Sequence, residues 1–135
     1  ITINNNRIVQ TNDNPVGSEN KDPRDLIKAT FGEDGEGSIT TGTFTITNNT
    51  VTSAAGAGDA FNYESLSTST SNIFKFKLEG NNFTAADDKD LKIIVPTGYL
   101  SISAPDGTTN FDAYLDSINT DAETEISGSP EVFRF

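Results

Sequence analysis

A chain of 135 residues with no Cys and no His excludes disulfides, thiol nucleophiles, Ser-His-Asp and Cys-His arrangements and zinc sites of the usual kind. Its length fits one domain, residues 1–135, with a real core and no room for a second. A formal charge of −11 repels nucleic acid and anionic membrane surfaces and favours cations, so nucleic acid is not an expected partner.

Taken in chain order, segments rich in Ile, Phe, Val and Thr recur between Gly, Asn and Asp clusters, which predicts strands at Ile1–Ile3, Arg7–Gln10, Leu26–Phe31, Thr43–Thr47, Thr50–Ser53, Ile73–Glu79, Leu91–Val95, Tyr99–Ser103 and Glu131–Phe135. Between the second and third lies a long polar loop, Thr11–Arg24, with two prolines. Alternation is clear in Ile73-Phe74-Lys75-Phe76-Lys77-Leu78, where Phe74, Phe76 and Leu78 share one face and the lysines the other. Such strands have one wet face. Thr43 to Thr52 reads as a hairpin about Asn48-Asn49, a pair that tolerates positive φ, with Thr47 facing Thr50, Ile46 facing Val51 and Thr45 facing Thr52. One helix is expected near 110–118, because Phe111, Tyr114, Leu115 and Ile118 fall at i, i+3, i+4 and i+7 behind Asn110 as N-cap. The expected fold is all-β, a single antiparallel β-sandwich or jelly roll with that one short helix, without internal repeat or domain boundary. Its expected core includes Phe44, Ile46, Val51, Phe74, Phe76, Leu78, Ile93 and Val95.

The hexapeptide Gly56-Ala57-Gly58-Asp59-Ala60-Phe61 resembles the phosphate-side signature of the ribokinase-like sugar kinases. The resemblance implies a cradle of Gly56, Ala57 and Gly58 with Asp59 as base, at the start of a helix. The next residues, Asn62 to Asn72, have no apolar stripe at helical spacing and are dense in Ser, Thr and Asn. The string is therefore read as a loop of small residues between strands.

Three groups of residues are candidates for binding. Clustered carboxylates on loops can supply the six to eight oxygens that calcium takes, which makes calcium the expected cofactor, with Asp87, Asp88, Asp90, Glu33, Asp34 and Glu36 as candidate ligands. Thr45, Thr47, Thr50 and Thr52 would form a two-by-two hydroxyl array on the hairpin, about 6.6 Å apart along a strand and about 5 Å across. Tyr63 and Tyr99 lie next to Gly-containing turns, where aromatic rings can stack on sugars.

No apolar run approaches the ~20 residues of a membrane helix. A start at Ile1 and the lack of any Met are expected of a processed or excised domain. Together these features point to a non-enzymatic, extracellular or cell-surface module, structural or adhesive, from a bacterial surface, filament or virion protein, with a carbohydrate-binding module as the alternative. Expected partners are a protein or glycan at a cell surface, or copies of itself.

Overall fold

The computed structural model describes residues 1–9, 26–31, 41–52, 58–66, 69–85, 89–120 and 123–133. In chain order the elements are β1 (Thr2–Asn4), β2 (Arg7–Val9), β3 (Ile27–Phe31), β4 (Thr41–Thr47), β5 (Thr50–Thr52), β6 (Phe61–Ser65), β7 (Ile73–Glu79), β8 (Asn82–Thr84), β9 (Leu91–Ile94), β10 (Tyr99–Ser103), α1 (Phe111–Ile118), β11 (Thr124–Ser127) and β12 (Pro130–Phe133). They form sheet A, ordered β1-β4-β7-β10-β12, sheet B, ordered β2-β5-β8, and sheet C, ordered β11-β9-β6-β3. Every pairing in all three sheets is parallel.

The chain passes from sheet A to B to C and returns to A beside its own previous strand, giving the coils β1-β2-β3, β4-β5-β6 and β7-β8-β9. A fourth coil carries α1 between β10 and β11, and β12 opens a fifth. This is a parallel β-helix, a solenoid in which each coil contacts its neighbours. It overturns the expected single antiparallel β-sandwich. The alternation that suggested a sandwich has a physical source: parallel sheets covered by helices read as continuous apolar runs, whereas the sheets of a solenoid keep a wet outer face and so alternate as antiparallel strands do.

The expected hairpin is likewise absent, since β4 belongs to sheet A and β5 to sheet B. A type I′ reversal needs two residues with positive φ. Here Asn48 has φ 56° and Asn49 is not among the positive-φ residues, so the chain turns a corner and continues onto the next sheet. Asn5 (φ 56°) and Gly80 (φ 66°) occupy the same corner one coil to either side. At Gly80 the left-handed φ favours glycine, and a Cβ would also come within 2.6 Å of Asn48 Oδ1.

Asn6, Asn49 and Asn81 follow these corner residues and Asn119 caps the end of α1, and the four are hydrogen-bonded along the solenoid axis. The backbone N–H of Asn6 donates to Asn49 Oδ1 (2.9 Å), that of Asn49 to Asn81 Oδ1 (3.0 Å) and that of Asn81 to Asn119 Oδ1 (3.0 Å). Their amide nitrogens satisfy backbone carbonyls: Asn81 Nδ2 donates to Ile46 O at 2.9 Å and Asn49 Nδ2 to Ile3 O at 3.0 Å. Asn49, Asn81 and Asn119 are buried, so the ladder meets the rule that buried polar groups find partners.

Inside the coils, residues in register stack in rows such as Ile3–Ile46–Leu78, Ile8–Val51–Phe83 and Ala29–Tyr63–Ile93–Ile126. All eight expected core residues are buried. Phe44 stacks on Phe76 with centroids 4.8 Å apart, and the Tyr63 ring meets both, and Phe74, edge-on.

Helix α1 forms where it was expected, with Asn110 Oδ1 accepting from Ala113 N–H at 3.1 Å. Phe111 and Leu115 are buried against the core. Asp116 Oδ1 accepts the N–H of Thr124 at 3.0 Å, and Asp112, one turn earlier, faces the N–H of Ile126. Four residues of helix rise about 6.0 Å and two of strand about 6.6 Å, so the two carboxylates match two outward N–H groups of edge strand β11. The helix covers that edge.

Candidate interaction surfaces

The outer face of sheet A consists of side chains aligned across strands about 4.8 Å apart. Its rows are Thr41–Ile73–Tyr99, Thr43–Lys75–Ser101–Glu131 and Thr2–Thr45–Lys77. Tyr99 is 61% exposed and Ile73 37%, and Lys75 Nζ lies 5.7 Å from the Phe133 ring centroid. On sheet B the rows are Arg7–Thr50–Asn82 and Val9–Thr52–Thr84. The expected array of Thr45, Thr47, Thr50 and Thr52 is thus divided by the corner, with one pair on each sheet.

Of the two candidate tyrosines, only Tyr99 reaches solvent. Tyr63 is wholly buried on β6, and burial pushes its phenol far above the usual range, so it stays protonated. Asp59 is buried at the entry to β6, where its Oδ2 accepts from Asn62 Nδ2 at 3.0 Å and lies 3.9 Å from Lys92 Nζ. A strand and not a helix follows it, while Gly56 and Ala57 of that string lie outside the described residues.

Among the expected calcium ligands, Glu33, Asp34, Glu36, Asp87 and Asp88 lie outside the described residues. Asp90 is buried, with Oδ1 accepting from Ala85 N–H and Oδ2 from Glu123 N–H at 2.6 Å. It ties the entry of β9 to the entry of β11. Among the described residues no three carboxylates gather as a metal-ion site would require.

A cleft of about 350 Å³ opens at the start of α1, lined by Thr109, Asn110, Phe111, Asp112, Ile126 and Pro130. Desolvation raises the Asp112 pKa, with Asp116 and Glu125 adding like-charge repulsion and the Ile126 N–H opposing it. Asp90 is raised too, first by desolvation, against its two backbone N–H partners and with Glu123 and Asp116 nearby. Both aspartates therefore hold protons in the folded chain at a pH where the unfolded chain has lost them. Their contribution to stability is complete below the ordinary carboxylate value of 3.8 and is lost as pH rises through the folded values. Melting temperature is expected to climb between pH 7 and about pH 4, and Asp112→Asn, which keeps an oxygen toward Ile126, to flatten the climb. Parallel profiles for the two proteins would contradict this assignment.

The ladder and β6, β8 and β11 were not anticipated from the sequence. The signal for the ladder is an Asn with an apolar residue three positions before and two after, as in Ile3/Asn6/Ile8, Ile46/Asn49/Val51 and Leu78/Asn81/Phe83. Comparison with protein-family models, curated proteins and solved structures finds no match for this chain.

Proposed function

We propose that the chain is a non-catalytic extracellular module, structural or adhesive, that makes contact through the flat outer face of sheet A. The observation that carries this reading is the set of in-register rows of Thr, Ser and Lys beside exposed Tyr99 and Ile73. Solenoids offer extended surfaces of this kind, on which many weak contacts add up without a deep pocket. The carboxylates best placed for chemistry, Asp112 and Asp116, face backbone N–H groups of β11.

A glycan is the favoured ligand for this face, because an exposed tyrosine stacks on a sugar ring while neighbouring hydroxyls and Lys75 bond to its oxygens. This keeps the carbohydrate-binding module as the second reading, resting on Tyr99. Binding to a panel of immobilised bacterial and host polysaccharides is expected, and Tyr99→Ala should weaken it about tenfold, roughly 1.4 kcal/mol, while leaving the melting temperature unchanged. If no polysaccharide binds, or if Tyr99→Ala binds as well as the parent, sheet A is not a glycan face.

Calcium belongs to the same proposal through the acidic loops. At 100 times its dissociation constant one ion adds about 2.7 kcal/mol, which raises the melting temperature by roughly 5 °C. Sodium chloride at matched ionic strength is the control for simple screening. Equal effects of the two salts would remove calcium from the proposal.

A further inference from the structure

Asp59 is a carboxylate that contact through sheet A leaves without a role. It is 2% exposed at the entry to β6, and a charge buried there needs partners. Two of them meet at one atom, since Oδ2 accepts from Asn62 Nδ2 at 3.0 Å and lies 3.9 Å from Lys92 Nζ. An amine and a carboxamide therefore share one carboxylate oxygen.

The sheet register brings them there. Asn62 and Lys92 are partners on β6 and β9, neighbouring strands of sheet C, so their side chains leave the same face from backbones about 4.8 Å apart. That face is the outer one, because Tyr63 and Ile93, one residue further on, are buried in the core. Asn62 is nonetheless only 7% exposed, and the Lys92 side chain is largely covered. Lys28 flanks Asn62 on the other side, but its side chain is half exposed and its Nζ lies 3.9 Å from Glu64 Oε2. Lys92 is the lysine placed at Asp59.

We propose that Lys92, Asn62 and Asp59 form a self-modification site, at which the Lys92 and Asn62 side chains join as an amide and ammonia is expelled. Nζ gives a proton to Asp59, and its lone pair forms a bond to Asn62 Cγ. The Cγ–Nδ2 bond then breaks, its electron pair stays with the departing nitrogen, and the protons shed by Nζ pass to that nitrogen through Asp59. One ammonium group and one carboxamide become one secondary amide and one ammonium ion, so atoms and charge balance without a further reagent. A carboxylate already bonded to the leaving nitrogen is placed as general acid–base catalysis requires.

In a chain without Cys, this bond does the work of a disulfide. It ties the second coil to the third and closes a loop between residues 62 and 92, which restricts the unfolded chain. It also resists pulling along the axis, because separating the coils then means breaking a covalent bond. Glycan binding at sheet A has no part in it, so either reading stands without the other.

Intact-mass spectrometry of the folded protein tests the site. The mass is expected to lie one ammonia, about 17 Da, below that of the sequence, and proteolysis should release a branched peptide joining Asn62 to Lys92. Lys92→Arg keeps a positive charge beside Asp59 but has no amine for the reaction, and it should show the full mass of its own sequence and a lower melting temperature. Asp59→Ala should also show full mass. The branched peptide comes from the unaltered protein, so the test does not depend on either variant folding. Full sequence mass in the folded parent after prolonged incubation at neutral pH would overturn the proposal. So would a branch at Lys28, a mass loss that survives Lys92→Arg, or a loss of one water, about 18 Da, with the branch at Asp59.

Discussion

Asn81→Ala is expected to destabilise the fold by about 2–5 kcal/mol, because several buried groups lose partners at once and each costs about 1–3 kcal/mol when left unsatisfied. Asn81 Oδ1 accepts from the backbone N–H and the Nδ2 of Asn49, both at 3.0 Å. Its Nδ2 donates to Ile46 O and to Asn119 Oδ1, both at 2.9 Å. At 1% exposure, water cannot replace these bonds. Asn81→Asp keeps the acceptor, loses both donors and places a charge there, so it should be no better tolerated. Asn6→Ala, at the exposed end of the ladder, should cost about 1 kcal/mol. Urea unfolding midpoints at constant m-value measure the series. Similar midpoints for Asn6→Ala and Asn81→Ala would mean that the ladder is not what holds the corners.

Phe76→Ala should cost about 3–5 kcal/mol. Phe76 is wholly buried in the central coil, stacked on Phe44 and met edge-on by Tyr63 at 4.8 Å. Its deletion leaves a cavity between rings held by backbone on sheets A and C, which cannot collapse without shifting register. Since a domain of this size is stable by only about 5–15 kcal/mol, the variant should melt well below its parent or fail to fold. Phe76→Leu should recover more than half of the loss. A Phe76→Ala protein that unfolds within about 1 kcal/mol of its parent would show that these rings pack loosely.

Local features of this fold were legible in the sequence, and its topology was not. The 3.6-residue spacing behind Asn110 located α1 and its N-cap, since a helix is specified by near neighbours. Alternation at Phe74, Phe76 and Leu78 identified an inward face, yet period two carries no information about which strand lies alongside or in which direction. Asn48 was rightly read as a residue for positive φ, but only its tertiary setting decides between reversal and corner. Strands β8 and β6 escaped notice for different reasons. Asn82–Thr84 has a single inward residue, Phe83, and the inward side of Phe61–Ser65 ends in Ser65. The repeat escaped because successive ladder asparagines are 43, 32 and 38 residues apart, so no fixed period aligns them. The candidate sites fared by accessibility: Tyr63 and Tyr99 have the same local signal, and only the coil's interior separates them.

Those same separations govern how the chain reaches its fold. Parallel coils have no hairpin with which to begin, and the strand pair closest in sequence, β7 with β10, must close about 26 residues, from Ile73 to Tyr99. Strand β7 takes part both in that shortest closure and in the longest register, seven residue pairs with β4 from Thr41↔Ile73 to Thr47↔Glu79. Loop entropy is recovered soonest there. The coils that meet at β7, the second, third and fourth, therefore form the nucleus, and the others wind on from either side as in a one-dimensional array. With nearly all pairing this far apart along the chain, folding belongs to the slow range of milliseconds to seconds, during which unpaired strands are exposed.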